Sequence, residues 1–188
     1  MQEPRRTQKD RSEAMRALLL RVGRDLFVRN GFAATGTPEI VAEAGVTRGA
    51  LYHHFADKED LFTAVIRAEA EAVAAEIEAV DYSGLSGIEA LVRGGEAFLA
   101  AMGEPGRARL MLVEAPAVLD PAVLAEIDAA TGGRTLEAGL AAAGVAPAGP
   151  LSALLSAAYD RAALAIDRGA AAEDWVQAVE RLVRGVVR

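Results

Sequence analysis

The chain has 188 residues, 52% of them hydrophobic, which suits one ordinary domain or a small head on a larger body with a real packed core. It has no cysteine, which excludes disulfides, thiolate nucleophiles and Cys-ligated metals and is compatible with a reducing, cytoplasmic setting. The net charge of −7 opposes nucleic acid until it is divided: residues 1–58 carry +3 and residues 59–188 carry −10, so a mildly basic head can approach phosphate while an acidic body stays soluble.

Met1 to Arg11 is polar and basic, with no apolar stretch of the secretory kind. Arg5, Arg6, Lys9 and Arg11 read either as a DNA-touching arm or as a frayed, solvated tail. A first helix is expected from about Ser12, a possible cap, with Leu19, Val22, Leu26 and Phe27 at 3.6-residue spacing. Asn30-Gly31 stops it, and Phe32 turns back toward the core. Thr37-Pro38 is a helix start, with threonine as cap and proline where no hydrogen bond is lost. That second helix is short, about Pro38 to Ala44, and Gly45 ends it. Thr47 caps a third helix, Arg48 to Phe55, and Asp57 caps a long fourth running to about Val80.

The remainder also reads as helix, with Gly87–Met102, Glu104–Val113, Pro121–Ala143, Leu151–Arg168 and Glu173–Val187 as the expected segments. Ala138 to Tyr159 lacks charge, but Gly144, Pro147, Gly149 and Pro150 interrupt it, so no membrane span is expected. The fold class is therefore all-α: a three-helix head over 1–58 and a helical body over 59–188, joined by the helix 57–80.

Two short helices joined by a glycine turn are the helix-turn-helix arrangement, whose second helix enters the DNA major groove. The inner faces are apolar through Ile40, Val41, Val46, Leu51 and Phe55. On the opposite face Arg48 and Tyr52 are four apart, as are Gly49 and His53. Arginine can donate two bonds to guanine, tyrosine and histidine can bond phosphate or pack on a thymine methyl, and Gly49 lets the backbone come close. Thr37, Thr47 and Lys58 stand at helix N-termini, where phosphates can be met. The rival reading is that Tyr52-His53-His54-Phe55 merely fills a helix. Adjacent histidines point about 100° apart rather than together, so no metal site is expected, and nothing in the chain calls for a cofactor.

The run from Gly31-Phe32 through Thr37-Pro38-Glu39-Ile40-Val41-Ala42-Glu43-Ala44-Gly45-Val46-Thr47-Arg48-Gly49-Ala50-Leu51-Tyr52-His53-His54-Phe55-Ala56-Asp57-Lys58 to Leu61 resembles the signature of the TetR repressor family. The resemblance covers about the first quarter of the chain. It implies nine helices, a homodimer through the last two, double-stranded operator DNA as partner, and a pocket for a small-molecule effector in the body. It also implies that Ala50 and Tyr52 touch bases or phosphates and that Thr37, His54 and Lys58 hold the DNA backbone.

In the body, Leu151, Leu154, Leu155, Ala158, Ala162, Ala165 and Ile166 form one helical stripe, and Trp175, Ala178, Val179, Leu182, Val183 and Val186 another. Either stripe could be core. The resemblance favours a four-helix dimer interface through Leu151, Leu155, Ala158, Ala162, Trp175, Val179, Leu182 and Val186. Phe98, Met102, Met111, Glu114 and Tyr159 are the candidates for lining a ligand pocket, against core packing for the first three and Tyr159, and solvent exposure for Glu114. An enzyme is not expected: the body has neither histidine nor cysteine, no nucleophile elbow and no phosphate loop, and Glu69 and Glu71 face different ways on their helix. The expected function is a repressor released from a palindromic operator by a small, mainly apolar ligand. The alternative is a regulator whose body serves only dimerisation or partner-protein binding.

Overall fold

A computed structural model describes residues 8–186, and side-chain surroundings through Gly185. Among the described residues there are ten helices and no strand, which agrees with the all-α expectation. Helix α1 is Gln8–Asn30, α2 Thr37–Ala44, α3 Arg48–His54 and α4 Lys58–Glu78. In the body α5 is Gly87–Met102, and α6 is a helical run over 107–118. Then follow α7 (Pro121–Ala130), α8 (Gly132–Ala142), α9 (Ala148–Asp167) and α10 (Ala172–Val186). None is long and apolar enough to cross a membrane.

Several expected boundaries move, each for a local reason. Ser12 lies inside α1 rather than capping it. Lys9 and Arg11 are therefore exposed helical residues, with Lys9 paired to Glu13; Arg5 and Arg6 lie outside the described residues. Gly36, not Thr37, is the extended residue before α2, and Pro38 sits in the first turn. The segment expected as one helix over Pro121–Ala143 breaks at Thr131, whose φ of −129° and ψ of −108° are not helical. Gly132 and Gly133 follow it, and the Asp128 carboxylate occupies the space of a Cβ at Gly133, 2.4 Å away. Within α6, Leu110–Glu114 is a π-helical turn: the Ala115 N–H reaches back five residues to the Leu110 carbonyl. Pro116 has no N–H and its ring crowds the carbonyl four residues earlier, so a widened turn just before it is the natural accommodation.

The chain divides into two compact units, the first ending at Ile66 and the second starting at Arg67. The boundary falls inside α4, just after the buried Leu61, Phe62 and Val65. Gly23 on α1 admits Leu61, whose side-chain carbon would lie 3.2 Å from an added Cβ. Phe62 meets Phe27 edge to face at 5.0 Å and Phe32 at 4.9 Å. Thr35 is buried, and its hydroxyl donates to the Leu26 and Gly31 carbonyls. The Lys58 ammonium donates to the carbonyls of Phe32 at 2.8 Å and Thr35 at 3.0 Å, and lies 4.0 Å from the Phe32 ring centre.

The body is built around a core that includes Val73, Ile77, Leu91, Leu99, Met102, Leu140, Leu155, Tyr159, Ala162, Val179 and Val183. A buried cation ties α4 to α6: Arg107 donates to Glu69 at 2.8 Å, to Glu76 at 3.0 Å and to the Ala101 carbonyl. Burial works against its charge, and the bonds to the two carboxylates outweigh it. Asp160 on α9 has the opposite problem. Burial, with Asp128 adding like charge, pushes its carboxyl up to about 6.

Two predictions follow from these ties. Lys58→Met should lower unfolding free energy in urea by about 1.5–3 kcal/mol even without DNA, because two carbonyls lose a charged donor; unchanged stability with a reduced salt dependence of DNA binding would instead make Lys58 a phosphate contact. For Asp160, the folded chain holds a proton between about pH 3.8 and 6 that the unfolded chain has released, so this site adds stability as pH falls through that window and opposes folding above it. Asp160→Asn should therefore raise the melting temperature by about 2–4 °C at neutral pH. The gain should vanish below about pH 4, where both states carry the proton. Thermal unfolding at the two pH values checks the sign.

Candidate nucleic-acid interface

The geometry begins with the turn between α2 and α3. Gly45 takes φ +65°, and its N–H closes on the Ala42 and Val41 carbonyls, which ends α2 in the left-handed conformation that favours glycine. Thr47 then caps α3, its hydroxyl accepting from the Ala50 N–H at 3.2 Å. Asp57 accepts from the Asp60 N–H at 2.8 Å, and Asp60 from the Ala56 N–H at 2.8 Å, so the start of α4 is fixed as firmly.

These caps set which side of α3 faces in. Leu51 and Phe55 are buried with Ile40, while Val41, Val46 and Ala50 are half-buried. Arg48, Gly49, Tyr52 and His53 are exposed together, and Tyr52 is 39% exposed, unusual for so large a ring in a packed head. The Arg48 guanidinium donates to the Tyr52 hydroxyl at 3.4 Å and lies 5.3 Å from its ring centre. The phenol is drawn below its usual pKa by Arg48 first and by the Thr37 hydroxyl second. Thr37 therefore faces Tyr52 across the motif instead of capping α2. His54 is half-buried; its imidazole is held below the ordinary range by burial, then by the charges of His53 and Arg16. The His53 and His54 rings meet edge to face at 5.1 Å.

Thr37, Thr47, Arg48, Gly49, Ala50, Tyr52, His53 and His54 thus fall on or beside one outward surface of the motif. Lys58 is half-buried and two of its donor directions are taken by the head's own carbonyls. Sequence reasoning did not include Arg16, whose guanidinium lies 5.2 Å from the Phe55 ring centre. The available signal was its register: Arg16 stands three residues before Leu19, in line with the apolar stripe of α1.

The body residues sort differently. Met102 and Tyr159 are buried, and Phe98 and Met111 are half-buried in the same cluster. Phe98 and Tyr159 meet edge to face at 5.7 Å. Glu114 is largely covered and bonded to Arg109 at 2.8 Å, which corrects the expectation of a solvent-exposed acid. A narrow cleft is lined by Val92, Gly95, Glu96, Leu99, Tyr159, Val176, Val179 and Glu180. A Cβ at Gly95 would stand 1.9 Å from the Tyr159 hydroxyl, so glycine is what admits that ring. Burial, with Glu96 nearby, pushes the Tyr159 phenol up to about 12.

Of the residues expected at a dimer interface, Leu155, Ala162 and Val179 are at most 4% exposed within one chain and are core side chains. Leu151, Ala158 and Trp175 are half-buried, and Leu182 is 51% exposed; the Val186 side chain lies outside the described residues. Leu154, absent from the expected interface, is 69% exposed.

The profile of bacterial regulatory proteins of the tetR family matches residues 19–65, and that of the tetracyclin repressor-like C-terminal domain matches residues 88–187. The HTH-type transcriptional regulator AcrR of Shigella flexneri is 43% identical over 60 residues, 32% of this chain and 28% of that protein. The HTH-type transcriptional repressor BepR of Brucella suis is 42% identical over 62 residues, 33% of this chain and 29% of that protein. The match thus spans less than a third of the length of either relative. A solved TetR-family regulator from Streptomyces coelicolor aligns over 94% of this chain and 97% of its own, with a TM-score of 0.77 at 26% identity. With one profile on the head and a second covering more than half of the chain, this protein belongs to the TetR family of transcriptional regulators.

Proposed function

We propose that the chain is a sequence-specific DNA-binding repressor that acts as a homodimer and is released from a pseudo-palindromic operator by a small, mainly apolar ligand. The observation that carries the DNA-binding part is the two-sidedness of α3: Leu51 and Phe55 are buried, while Arg48, Gly49, Tyr52 and His53 stand exposed together. A helix so mounted can lie in the major groove with Arg48 directed at a base edge. Repression is supported by the name of the BepR relative. Homodimerisation is supported by the exposed Leu154 and Leu182 on the last two helices. In a dimer the two recognition helices would lie about 34–36 Å apart.

The ligand part rests on the apolar cluster around Phe98, Met102, Met111 and Tyr159, with Glu114 nearby in sequence to Met111. Met102 and Tyr159 are packed, so a ligand there must displace core contacts, and that displacement is how it would bias the body. Helix α4 passes from Leu61 and Phe62 in the head to Glu69, Val73 and Glu76 in the body, which gives such a bias a continuous element on which to act.

Operator selection from a random-sequence library tests the DNA reading. Arg48→Ala should cost about 1–3 kcal/mol on the selected site and relax preference at one base pair; unchanged preference would remove Arg48 from base reading. For control, ligand titrated with and without operator should differ by a coupling of about 1–3 kcal/mol, equal in both directions. Equal affinities in the two titrations would favour a body that serves only dimerisation or partner binding.

A further inference from the structure

We propose that Arg16 on α1, outside the helix-turn-helix, is a DNA-phosphate contact at the carboxyl end of the recognition helix, beside His53 and His54. The inference rests on the DNA-binding reading above and adds a residue that the motif does not contain.

Arg16 occupies a position that a core side chain would be expected to hold, yet it is exposed. Its guanidinium is held 5.2 Å from the centre of the Phe55 ring, the residue that ends α3. A guanidinium over a ring can still direct two parallel N–H bonds to a phosphate, which a lysine there could not form. The same guanidinium is close enough to His54 to disfavour a second positive charge there. His53 is exposed beside them, its ring 5.1 Å from that of His54.

The neighbouring cations of the head are occupied differently. Arg29 is paired with Glu43 at 3.0 Å, Lys9 with Glu13 at 3.7 Å, and Lys58 with two carbonyls. Among the described residues no carboxylate pairs with Arg16. A guanidinium without a protein carboxylate is open to an anion supplied from outside. This position adjoins the outward face that carries Arg48 and Tyr52, so the anion available there is the phosphate backbone flanking the bases that α3 reads.

The competing role is purely structural, with Arg16 as a cover over Phe55. The two roles separate by salt. The full-length wild type, Arg16→Gln and Arg16→Lys are titrated with a selected operator and with unrelated duplex DNA across a salt series. Loss of one phosphate contact should make the slope of log K against log salt shallower by about 0.9. The wild-type advantage over Arg16→Gln should then be about 3.5-fold larger at 50 mM than at 200 mM salt, alike on both DNAs, while Arg16→Lys retains most of the slope. In the free protein, NMR titration of Arg16→Gln should show the His54 pKa moving up, and the dispersion of the amide signals reports that the head is folded. An unchanged slope in Arg16→Gln, with or without lower affinity, would assign Arg16 to packing and overturn the proposal, as would a His54 pKa that stays where it was. Wild type with no salt-dependent binding to either DNA would overturn the DNA-binding reading itself, and Arg16 with it.

Discussion

Lys58 is the point at which the geometry of the head is decided. The segment between α1 and α2 leaves the Phe32 and Thr35 carbonyls without helical partners, and one ammonium from the first residue of α4 satisfies both. The hydrophobic contacts beside it act in the same direction, since Phe62, one helical turn along, closes on Phe27 and Phe32. Polar and apolar faces of the same turn of α4 therefore grip the same loop. A recognition helix is useful only if its mounting is stiff, because a bidentate bond to a base edge tolerates little displacement. Here the mounting is made by buried and half-buried residues.

That arrangement gives Lys58 a role within the head that its place in the sequence does not announce. A lysine at a helix start, just after a recognition helix, satisfies every sequence criterion for meeting a phosphate. Sequence cannot show that two carbonyls lie within reach from residues 23 and 26 positions earlier. Thr37 is a parallel instance. The Thr-Pro pair fits an N-cap followed by a first-turn proline, but Gly36 supplies the extended residue and the Thr37 hydroxyl lies near the Tyr52 phenol, which it helps to hold below its usual pKa. In both cases the residue sits at the expected place in the chain, and its polar atoms face a tertiary neighbour.

What was legible was whatever depends on spacing along one helix. The caps at Thr47 and Asp57, the glycine stop at Gly45, and the division of α3 into a Leu51–Phe55 side and an Arg48–Tyr52 side are all local, and each appears in the structure. The body was legible only as helices. A 3.6-residue stripe says that a face is apolar, not which core it enters. Leu154 and Leu155 are adjacent, yet one is 69% exposed and the other 4%. The interface residues expected from the stripes were accordingly divided, with Leu155, Ala162 and Val179 used inside one chain. The break at Thr131 was hidden for a related reason. The two glycines after it weaken a helix without forbidding it, and the Asp128 carboxylate packed over Gly133 belongs to a fold-level arrangement.

The buried Arg107 bears on how firmly α4 is held against α6. A cation shared between the buried Glu69 and the half-exposed Glu76 is costly to strip of its partners, since an unpaired buried charge loses several kcal/mol. Sliding α4 past α6 by a fraction of a turn would break one of those bonds before the other, so intermediate positions are disfavoured and discrete arrangements are preferred. The π-helical turn at Leu110–Glu114 begins three residues after Arg107 and holds one extra residue in the ladder, the accommodation that Pro116 requires. Apolar packing along α4 is not directional. The ion triad adds directional bonds to it and so opposes displacement of that helix.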